Sequence, residues 1–383
     1  MNFEFSTATE IVFGWGRVEE LCKRALPFGT RALLVTGAHP ERLRPISRQL
    51  QFTGFAFAEF SVAGEPSVQD ATNGVAIARK IDAQLVIAVG GGSVLDAGKA
   101  IAALATNPGE ATDYLEVVGA GKPLVHASLP LIAVPTTAGT GSEVTRNAVL
   151  KVVDRLVKVS LRGLTLLPRV ALVDPELTVS VPADVTAATG LDALTQVIEP
   201  YLSTARGPMT DALCLEGIRR AARSLRAACA NGAERQPRED LAITSLFGGL
   251  ALANAKLGAV HGFAAPLGGR FEAPHGQICA RLLPLVLRAN LDAAQHTRDA
   301  DILERLHVIA RIVTNDVTAA PQDGIAWVSS LVEELRVPRL RSVGMGSDDI
   351  STIIEQARQA SSMKGNPFEL SPEVLTGILE QAL

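Results

Sequence analysis

Short apolar runs of strand length recur through the first half of the chain, and several of them end in Gly or Pro. They cover residues 32–36, 55–57, 85–89, 131–134 and 170–173. Helical patterns lie between them, for instance over residues 67–81 and 94–105. Continuous apolar strands that alternate with helices are typical of a parallel sheet covered on both faces. The pattern predicts an α/β domain over residues 1–181.

The pattern changes after Pro182, where apolar positions follow a helical period. Within residues 211–230, one predicted helix face carries Cys214, Ile218, Ala221 and Leu225 at spacings of four, three and four. Further helices are predicted over residues 239–257, 299–314 and 322–335. The sequence therefore predicts an all-helical domain over residues 182–383. The start of the chain differs again, because residues 3–13 alternate like an edge strand.

Composition and charge exclude several function classes. Hydrophobic residues make up 47% of the 383 residues and charged residues 20%, which is typical of a globular protein with a large core. The net charge of −4 does not suggest a nucleic-acid partner. No run approaches 18 apolar residues, and the N-terminus lacks a signal-peptide pattern, so no membrane association and a cytoplasmic location are predicted.

The four cysteines are scattered along the chain without C-x-x-C spacing. They are Cys22, Cys214, Cys229 and Cys279. This spacing argues against a disulfide framework and against a cysteine zinc site. We interpret all four as incidental thiols in a reducing compartment.

Two glycine-bearing loops follow predicted strands. The run 85–89 leads into Gly90-Gly91-Gly92-Ser93 and then into a helical pattern. Glycines let the backbone approach a ligand closely, and the start of a helix offers free N–H groups to a phosphate. The run 131–134 leads into the second loop, PTTAGTGSE at residues 135–143. Loops at the carboxyl ends of parallel strands flank one crevice, so a phosphate-bearing ligand is predicted there.

A histidine pair marks the predicted helical domain. His261 and His275 are fourteen residues apart, and each precedes a glycine. Upstream, Asp192 and Gln196 are four residues apart and share a helix face. One carboxylate and two imidazoles are suitable ligands for a divalent transition metal. The spacing also fits two histidines with purely structural roles, so spacing alone does not distinguish a metal site from a structural pair.

Taken together in order, these motifs resemble those of the iron-containing (group III) alcohol dehydrogenases. The resemblance rests on GGGS at 90–93 with Asp96 and Lys99, PTTAGTGSE at 135–143, GLDALT at 190–195, VHGFAAPLG at 260–268 and PHG at 274–276. It covers most of the chain. It implies the architecture shared with dehydroquinate synthase, in which an α/β dinucleotide-binding domain precedes an all-α domain that holds metal and substrate. It also implies hydride transfer between NAD or NADP and a small alcohol or aldehyde.

The resemblance assigns expected roles residue by residue. The pyrophosphate of the cofactor is expected at Gly91, Gly92 and Ser93, with Asp96 in the same motif. The nicotinamide side or the ribose is expected at Thr136, Thr137 and Ser142, and Lys158 matches a family lysine near the cofactor. The metal and the catalytic chemistry are expected at Asp192, His261 and His275.

Two positions depart from the family pattern. The fourth metal ligand of the family is usually a histidine, and here it is Gln196, which offers a neutral amide oxygen. We therefore expect weakened binding of Fe²⁺ or Zn²⁺ at Asp192, Gln196, His261 and His275. The family histidine that is thought to relay the alcohol proton is replaced by Ala265, which cannot transfer protons.

The choice between NAD and NADP stays open in the sequence. The family often has an aspartate after the first strand, where it repels the 2′-phosphate of NADP, and here Gly37 takes that place. His39 and Arg42 follow closely, so charge alone favours tolerance of NADP. The opposing interpretation is that Gly37 is a simple turn residue and that the basic residues face solvent.

Several functions remain compatible with these observations. A small-alcohol dehydrogenase that acts as a homodimer is the first hypothesis. A metal-independent reductase of a small oxo-acid, similar to maleylacetate reductase, is an alternative because of Gln196 and Ala265. A zinc enzyme on the same scaffold, such as a glycerol dehydrogenase or a dehydroquinate-synthase-like lyase, is disfavoured by the PTTAGTGSE loop. A non-catalytic dinucleotide-binding protein is the remaining alternative.

Overall fold

The computed structural model describes residues 3–116, 118–155 and 157–383, and of these the side chains of Pro40 and Arg42 are left undescribed. The described residues form two compact units. Those within 6–137 and 141–178 make the first, which we call the sheet unit. Those within 3–5, 138–140 and 179–383 make the second, which we call the helical unit.

The sheet unit contains a six-stranded, fully parallel sheet with the strand order β1-β8-β5-β4-β2-β3. Its strands are β1 Glu10–Phe13, β2 Arg31–Thr36, β3 Ala56–Ser61, β4 Leu85–Gly90, β5 Leu131–Pro135 and β8 Val170–Val173. The chain runs outward from β2 to β3 and then returns to β4 on the other side of β2. The strand order therefore reverses beside β2, and ligands of such sheets bind at that point.

Both faces of this sheet are buried, which explains the continuous apolar runs. In β2, Leu33 and Val35 pack into one apolar cluster, while Ala32 and Leu34 pack into a second one. The helices of this unit are α1 Leu21–Ala25, α2 Arg44–Phe52, α3 Val68–Lys80, α4 Gly92–Thr106 and α5 Ala111–Tyr114. The prediction of a parallel sheet covered by helices is confirmed.

Two parts of the sheet unit differ from the sequence expectation. Only Glu10–Phe13 of the predicted edge strand is extended in a ladder, because its parallel partner β8 is itself four residues long. An antiparallel pair, β6 Asn147–Val152 and β7 Val157–Arg162, was not predicted at all. Its buried positions alternate, as at Ala148 and Leu150, so a period-two signal was present in the sequence.

Described residues 179–383 contain helices and no strand. The helices are α6 Ala183–Leu202, α7 Pro208–Ala230, α8 Arg235–Asn254, α9 Ala259–Arg270, α10 His275–Thr297, α11 Ala300–Thr314, α12 Pro321–Glu334, α13 Ile350–Gln359 and α14 Pro372–Ala382. The prediction of a helical second half is confirmed. The predicted starts of α7 and α12 were three residues and one residue late, because each helix begins at a proline, which suits the first helical turn.

Among the described residues, no single helix is long and apolar enough to cross a membrane. Only α8 and α9 taken together have the necessary length and composition, and they are bent by 97° at the break between them.

Candidate functional site

Four side chains of metal-ligand type converge inside the helical unit. Asp192 comes from α6, His261 from α9, and His275 and Cys279 from α10. One ligand atom from each lies within 4.8 Å of all the others. Asp192, His261 and Cys279 are buried and His275 is half-buried. The structure thus brings together three of the four predicted metal residues and adds Cys279.

The ligand atoms of these four side chains lie close to one another. Asp192 Oδ1 lies 3.3 Å from His261 Nε2 and 3.7 Å from His275 Nε2. Cys279 Sγ lies 3.7 Å and 3.6 Å from the same two nitrogens. Asp192 Oδ1 is buried without a well-formed hydrogen bond among the described residues. A buried carboxylate oxygen of this kind is costly unless a cation or proton donor satisfies it.

A second buried carboxylate orients His261. Glu199, two helical turns after Asp192 on α6, has Oε2 2.6 Å from His261 Nδ1. Its other oxygen accepts a 2.7 Å hydrogen bond from the backbone N–H of Val260. A proton on Nδ1 leaves the lone pair of Nε2 facing Asp192 and Cys279. Carboxylates commonly fix metal-binding histidines in this manner.

The electrostatics of the cluster favour positive charge. Burial acts to lower the pKa of His275, but interaction with Cys279 and Asp192 outweighs it and raises that pKa to about 9. The pKa of His261 is likewise raised, since interaction with Cys279 and Glu199 outweighs burial. The pKa of Asp192 is lowered, because the two imidazoles outweigh the opposing effect of burial. A divalent cation therefore fits this donor set in both charge and ligand type.

Glycines next to both histidines allow the helices to approach closely. A Cβ on Gly276 would lie 2.3 Å from the backbone oxygen of Ala188 on α6. A Cβ on Gly262 would lie 2.9 Å from Met363 Cε. The His-Gly pairs of the sequence thus combine a ligand with a residue that permits tight packing beside it.

The fourth predicted metal residue, Gln196, is held by a backbone group. Its Nε2 donates a 3.0 Å hydrogen bond to the carbonyl oxygen of Gly139. Its Oε1 is buried without a hydrogen-bond partner among the described residues. Ala265, where the family resemblance led us to expect a relay histidine, is half-buried on α9 one turn after His261.

The predicted cofactor residues of the sheet unit follow three adjacent strands. Gly37 follows β2, Gly91 precedes the first residue of α4 after β4, and Thr137 follows β5. Gly92 and Ser93 are the first two residues of α4, and Thr136 lies beside Thr137. A Cβ on Gly91 would lie 3.4 Å from Thr137 Oγ1, so these two loops lie close together.

Asp96, Ser142 and Lys158 are engaged within the protein. Asp96 Oδ1 accepts a 2.5 Å hydrogen bond from Ser142 Oγ and lies 3.0 Å from Lys99 Nζ. Lys99 is fully buried and donates a 3.0 Å hydrogen bond to the Ser142 carbonyl. Lys158 Nζ pairs with Glu65 Oε1 at 3.1 Å. Asp96 and Ser142 therefore tie α4 to the segment after residue 141, and Lys158 lies in a separate ion pair.

Sequence reasoning missed Cys279 and Glu199. A signal existed for Cys279, because it stands four residues after His275 and so shares its helix face. For Glu199 the signal was weaker: it lies seven residues after Asp192, again on one face.

Comparisons with known proteins identify the family of this chain. Residues 8–175 match the iron-containing alcohol dehydrogenase model, and residues 186–383 match the model of the C-terminal part of the same family. The 1,3-propanediol dehydrogenase of Klebsiella pneumoniae is 37% identical over 362 residues, which cover 92% of each chain.

Two solved structures show the same fold. A 1,3-propanediol oxidoreductase has 34% identity and a TM-score of 0.93, with all of both chains covered. Sulfoacetaldehyde reductase from Bifidobacterium kashiwanohense, solved in complex with NAD⁺, has 28% identity and a TM-score of 0.88, with 99% of this chain and 98% of that chain covered. The chain belongs to the iron-containing alcohol dehydrogenase family and is a nicotinamide-dependent oxidoreductase of alcohols and aldehydes.

Proposed function

We propose that this chain interconverts a small alcohol and its aldehyde by hydride transfer to or from NAD or NADP, with a divalent metal held by Asp192, His261 and His275. The observation that carries this proposal is the convergence of these ligands from three helices to within 4.8 Å. When bound, the metal supplies Lewis-acid polarisation of the substrate oxygen, and the nicotinamide supplies the hydride chemistry.

The side chains of the helical unit bind the metal and orient its ligands. Asp192 provides the negative charge that attracts the cation, and Glu199 holds His261 in the tautomer whose Nε2 is free. Gln196 remains a candidate fourth ligand beside Cys279, because its amide oxygen has no hydrogen-bond partner among the described residues. Since Ala265 cannot relay a proton, the alcohol proton leaves by water or by a hydroxyl group.

The sheet unit is proposed to bind the cofactor at the strand ends. Backbone N–H groups at the start of α4, from Gly91, Gly92 and Ser93, can donate hydrogen bonds to a pyrophosphate. Thr136 and Thr137, on the neighbouring loop, offer hydroxyl groups to the ribose or the nicotinamide side. Their proximity to Gly91 supports a shared binding edge.

We propose that both NAD and NADP are accepted. Gly37 carries no carboxylate to repel a 2′-phosphate, and a Cβ there would meet only Val94 Cγ2 at 3.7 Å. His39 is exposed beside Glu41, 3.2 Å away, and the side chain of Arg42 lies outside the described residues. Cofactor choice therefore rests on Gly37 in this proposal.

Small, uncharged alcohols are the proposed substrates, in line with similarity to proteins that are named for 1,3-propanediol. A homodimer and a cytoplasmic location are also proposed. Four free cysteines, three of them buried, support a compartment that keeps thiols reduced. We place the domain boundary near residue 181, just before α6 begins at Ala183.

The test is turnover of the full-length protein after metal removal and reloading with Fe²⁺, Zn²⁺ or Mn²⁺, on a panel of C2–C6 alcohols and aldehydes with NAD and NADP. Turnover that requires metal and that Asp192→Asn abolishes supports the proposal. Asp113→Asn, which removes a carboxylate from an ion pair with Lys122 in the sheet unit, is the matched control. Turnover without metal would instead establish a metal-independent reductase, and no turnover on any substrate would favour a non-catalytic dinucleotide-binding protein.

A further inference from the structure

The ligand set predicted from the family resemblance contains one weak donor, the neutral amide of Gln196. We propose that Cys279 Sγ is the fourth metal ligand, so that the centre is an Asp–His–His–Cys site that favours zinc over iron. This inference rests on the proposed metal-dependent function and concerns the same site. Cys279 lies on α10 one turn after His275, and both project from one face of that helix.

Four of the six distances between the ligand atoms match the edges of a tetrahedron, and the other two lie within 4.8 Å. With Zn–N and Zn–O bonds of about 2.0–2.1 Å and a Zn–S bond of about 2.3 Å, tetrahedral geometry separates N and O ligands by about 3.4 Å and S and N ligands by about 3.6 Å. The Asp192 Oδ1 to histidine distances are 3.3 and 3.7 Å. The Cys279 Sγ to histidine distances are 3.7 and 3.6 Å. The side chains therefore need only small shifts to hold a metal, to which the substrate oxygen would add as a fifth ligand.

Burial and ligand type point to the same ligand set. Cys279 is fully buried, and Asp192 Oδ1 is a buried oxygen without a well-formed hydrogen bond among the described residues. Asp192 and Glu199 already balance the charge of a divalent cation, so the case for Cys279 rests on its position beside both histidines and on the affinity of sulfur for zinc.

Gln196 has a different task in this arrangement. Its Nε2 hydrogen bond to the Gly139 carbonyl fixes the amide, and this anchors residues 138–140 to α6. Its free oxygen is a hard, neutral donor, while thiolate and imidazole ligands suit zinc. A thiolate from Cys279 instead of a neutral amide oxygen thus favours zinc over iron at this site.

Cobalt substitution tests the assignment directly. The full-length protein is stripped of metal, titrated with Co²⁺ and followed by absorption, since a thiolate ligand produces a near-ultraviolet sulfur-to-cobalt charge-transfer band. We expect this band in the unmodified chain and in Cys229→Ser, whose half-buried thiol on α7 makes it the matched control. We expect its loss in Cys279→Ser and Cys279→Ala. Removal of the ligand should weaken Co²⁺ and Zn²⁺ binding at least about tenfold, the lower end of what loss of an outer-shell partner costs.

The outcomes separate this inference from the proposed function. Visible Co²⁺ bands without a charge-transfer band, or a band that survives in Cys279→Ala, overturn the cysteine ligand while the metal centre of the proposed function stands. Failure to bind Co²⁺ at all, with alcohol turnover retained, overturns both metal assignments but leaves hydride transfer intact. A variant Gln196→Met that keeps the band supports the inference, and one that abolishes it contradicts the division of roles between the two residues.

Discussion

Glu199→Gln tests whether the second buried carboxylate controls the metal centre from outside the ligand shell. In the structure, one oxygen of Glu199 lies 2.6 Å from His261 Nδ1 and the other accepts from the Val260 N–H at 2.7 Å. An amide has a single oxygen, so it cannot accept both hydrogen bonds. Either Val260 N–H loses its acceptor, or the amide NH₂ faces Nδ1 and forces the proton onto Nε2.

The expected magnitude follows from this loss. Removing an outer-shell partner of a metal-binding histidine weakens metal affinity by roughly 10–100-fold, or about 1.4–2.7 kcal/mol. We expect a loss in that range, with a smaller effect on the unfolding temperature of the metal-free protein, because the side-chain volume is unchanged. The assay is competition between the protein and a chromophoric chelator for Zn²⁺, combined with thermal unfolding followed by circular dichroism.

A matched control is available in Glu333→Gln, which removes an exposed carboxylate paired with Arg281. This variant should bind Zn²⁺ like the unmodified chain. Affinity within about twofold of the unmodified chain for Glu199→Gln, well below the range for an outer-shell partner, would refute the argument that Glu199 sets the tautomer of His261. An equal loss of metal affinity in both variants would point to a general effect of charge.

Three further predictions concern pH, packing and cofactor choice. Burial raises the pKa of Glu143 to about 7, so ionisation of this carboxyl group opposes folding. The resulting loss in the free energy of unfolding is absent below pH 4.5, grows as the pH rises to 7 and reaches about 3 kcal/mol above pH 7. Glu143→Gln should therefore gain stability over the unmodified chain between pH 5 and 8 in urea unfolding, and parallel curves would contradict this. Gly276→Ala should displace α10 from the Ala188 carbonyl and weaken Zn²⁺ binding at least about tenfold, unlike Gly377→Ala on α14, where an added Cβ would meet no atom within 4 Å. Gly37→Asp should lower the ratio of kcat/KM for NADP to that for NAD at least about tenfold, and an unchanged ratio would show that this position does not contact the ribose.

The sequence was informative wherever a signal is local. Buried strands such as β4 appear as continuous apolar runs because both faces of a parallel sheet are covered. Helices α7 and α12 appear through their apolar period, and the glycine loop at 90–93 appears as a strand-to-helix turn. His261 and His275 stood out because each is followed by a glycine, and both lie in the cluster.

The missed features depend on packing between distant segments. The hairpin of β6 and β7 was overlooked because its half-buried strands carry lysines and an arginine among their apolar residues. Cys279 was interpreted as incidental because cysteine spacing alone reveals only C-x-x-C sites. Glu199 resembled any other acidic residue on a helix.

The sequence by itself determined the alternation of strands and helices in the first half, the helical character of the second half and the family of the enzyme. Periodicity and glycine placement are local patterns of about twenty residues or fewer, so they can be recognised directly in the sequence. Only the tertiary structure decided that Cys279 and Asp192 face the two imidazoles and that Glu199 supports one of them. The reason is physical: a ligand shell of this size is set by how closely α6, α9 and α10 pack, and that closeness depends on side-chain volumes from all three helices at once.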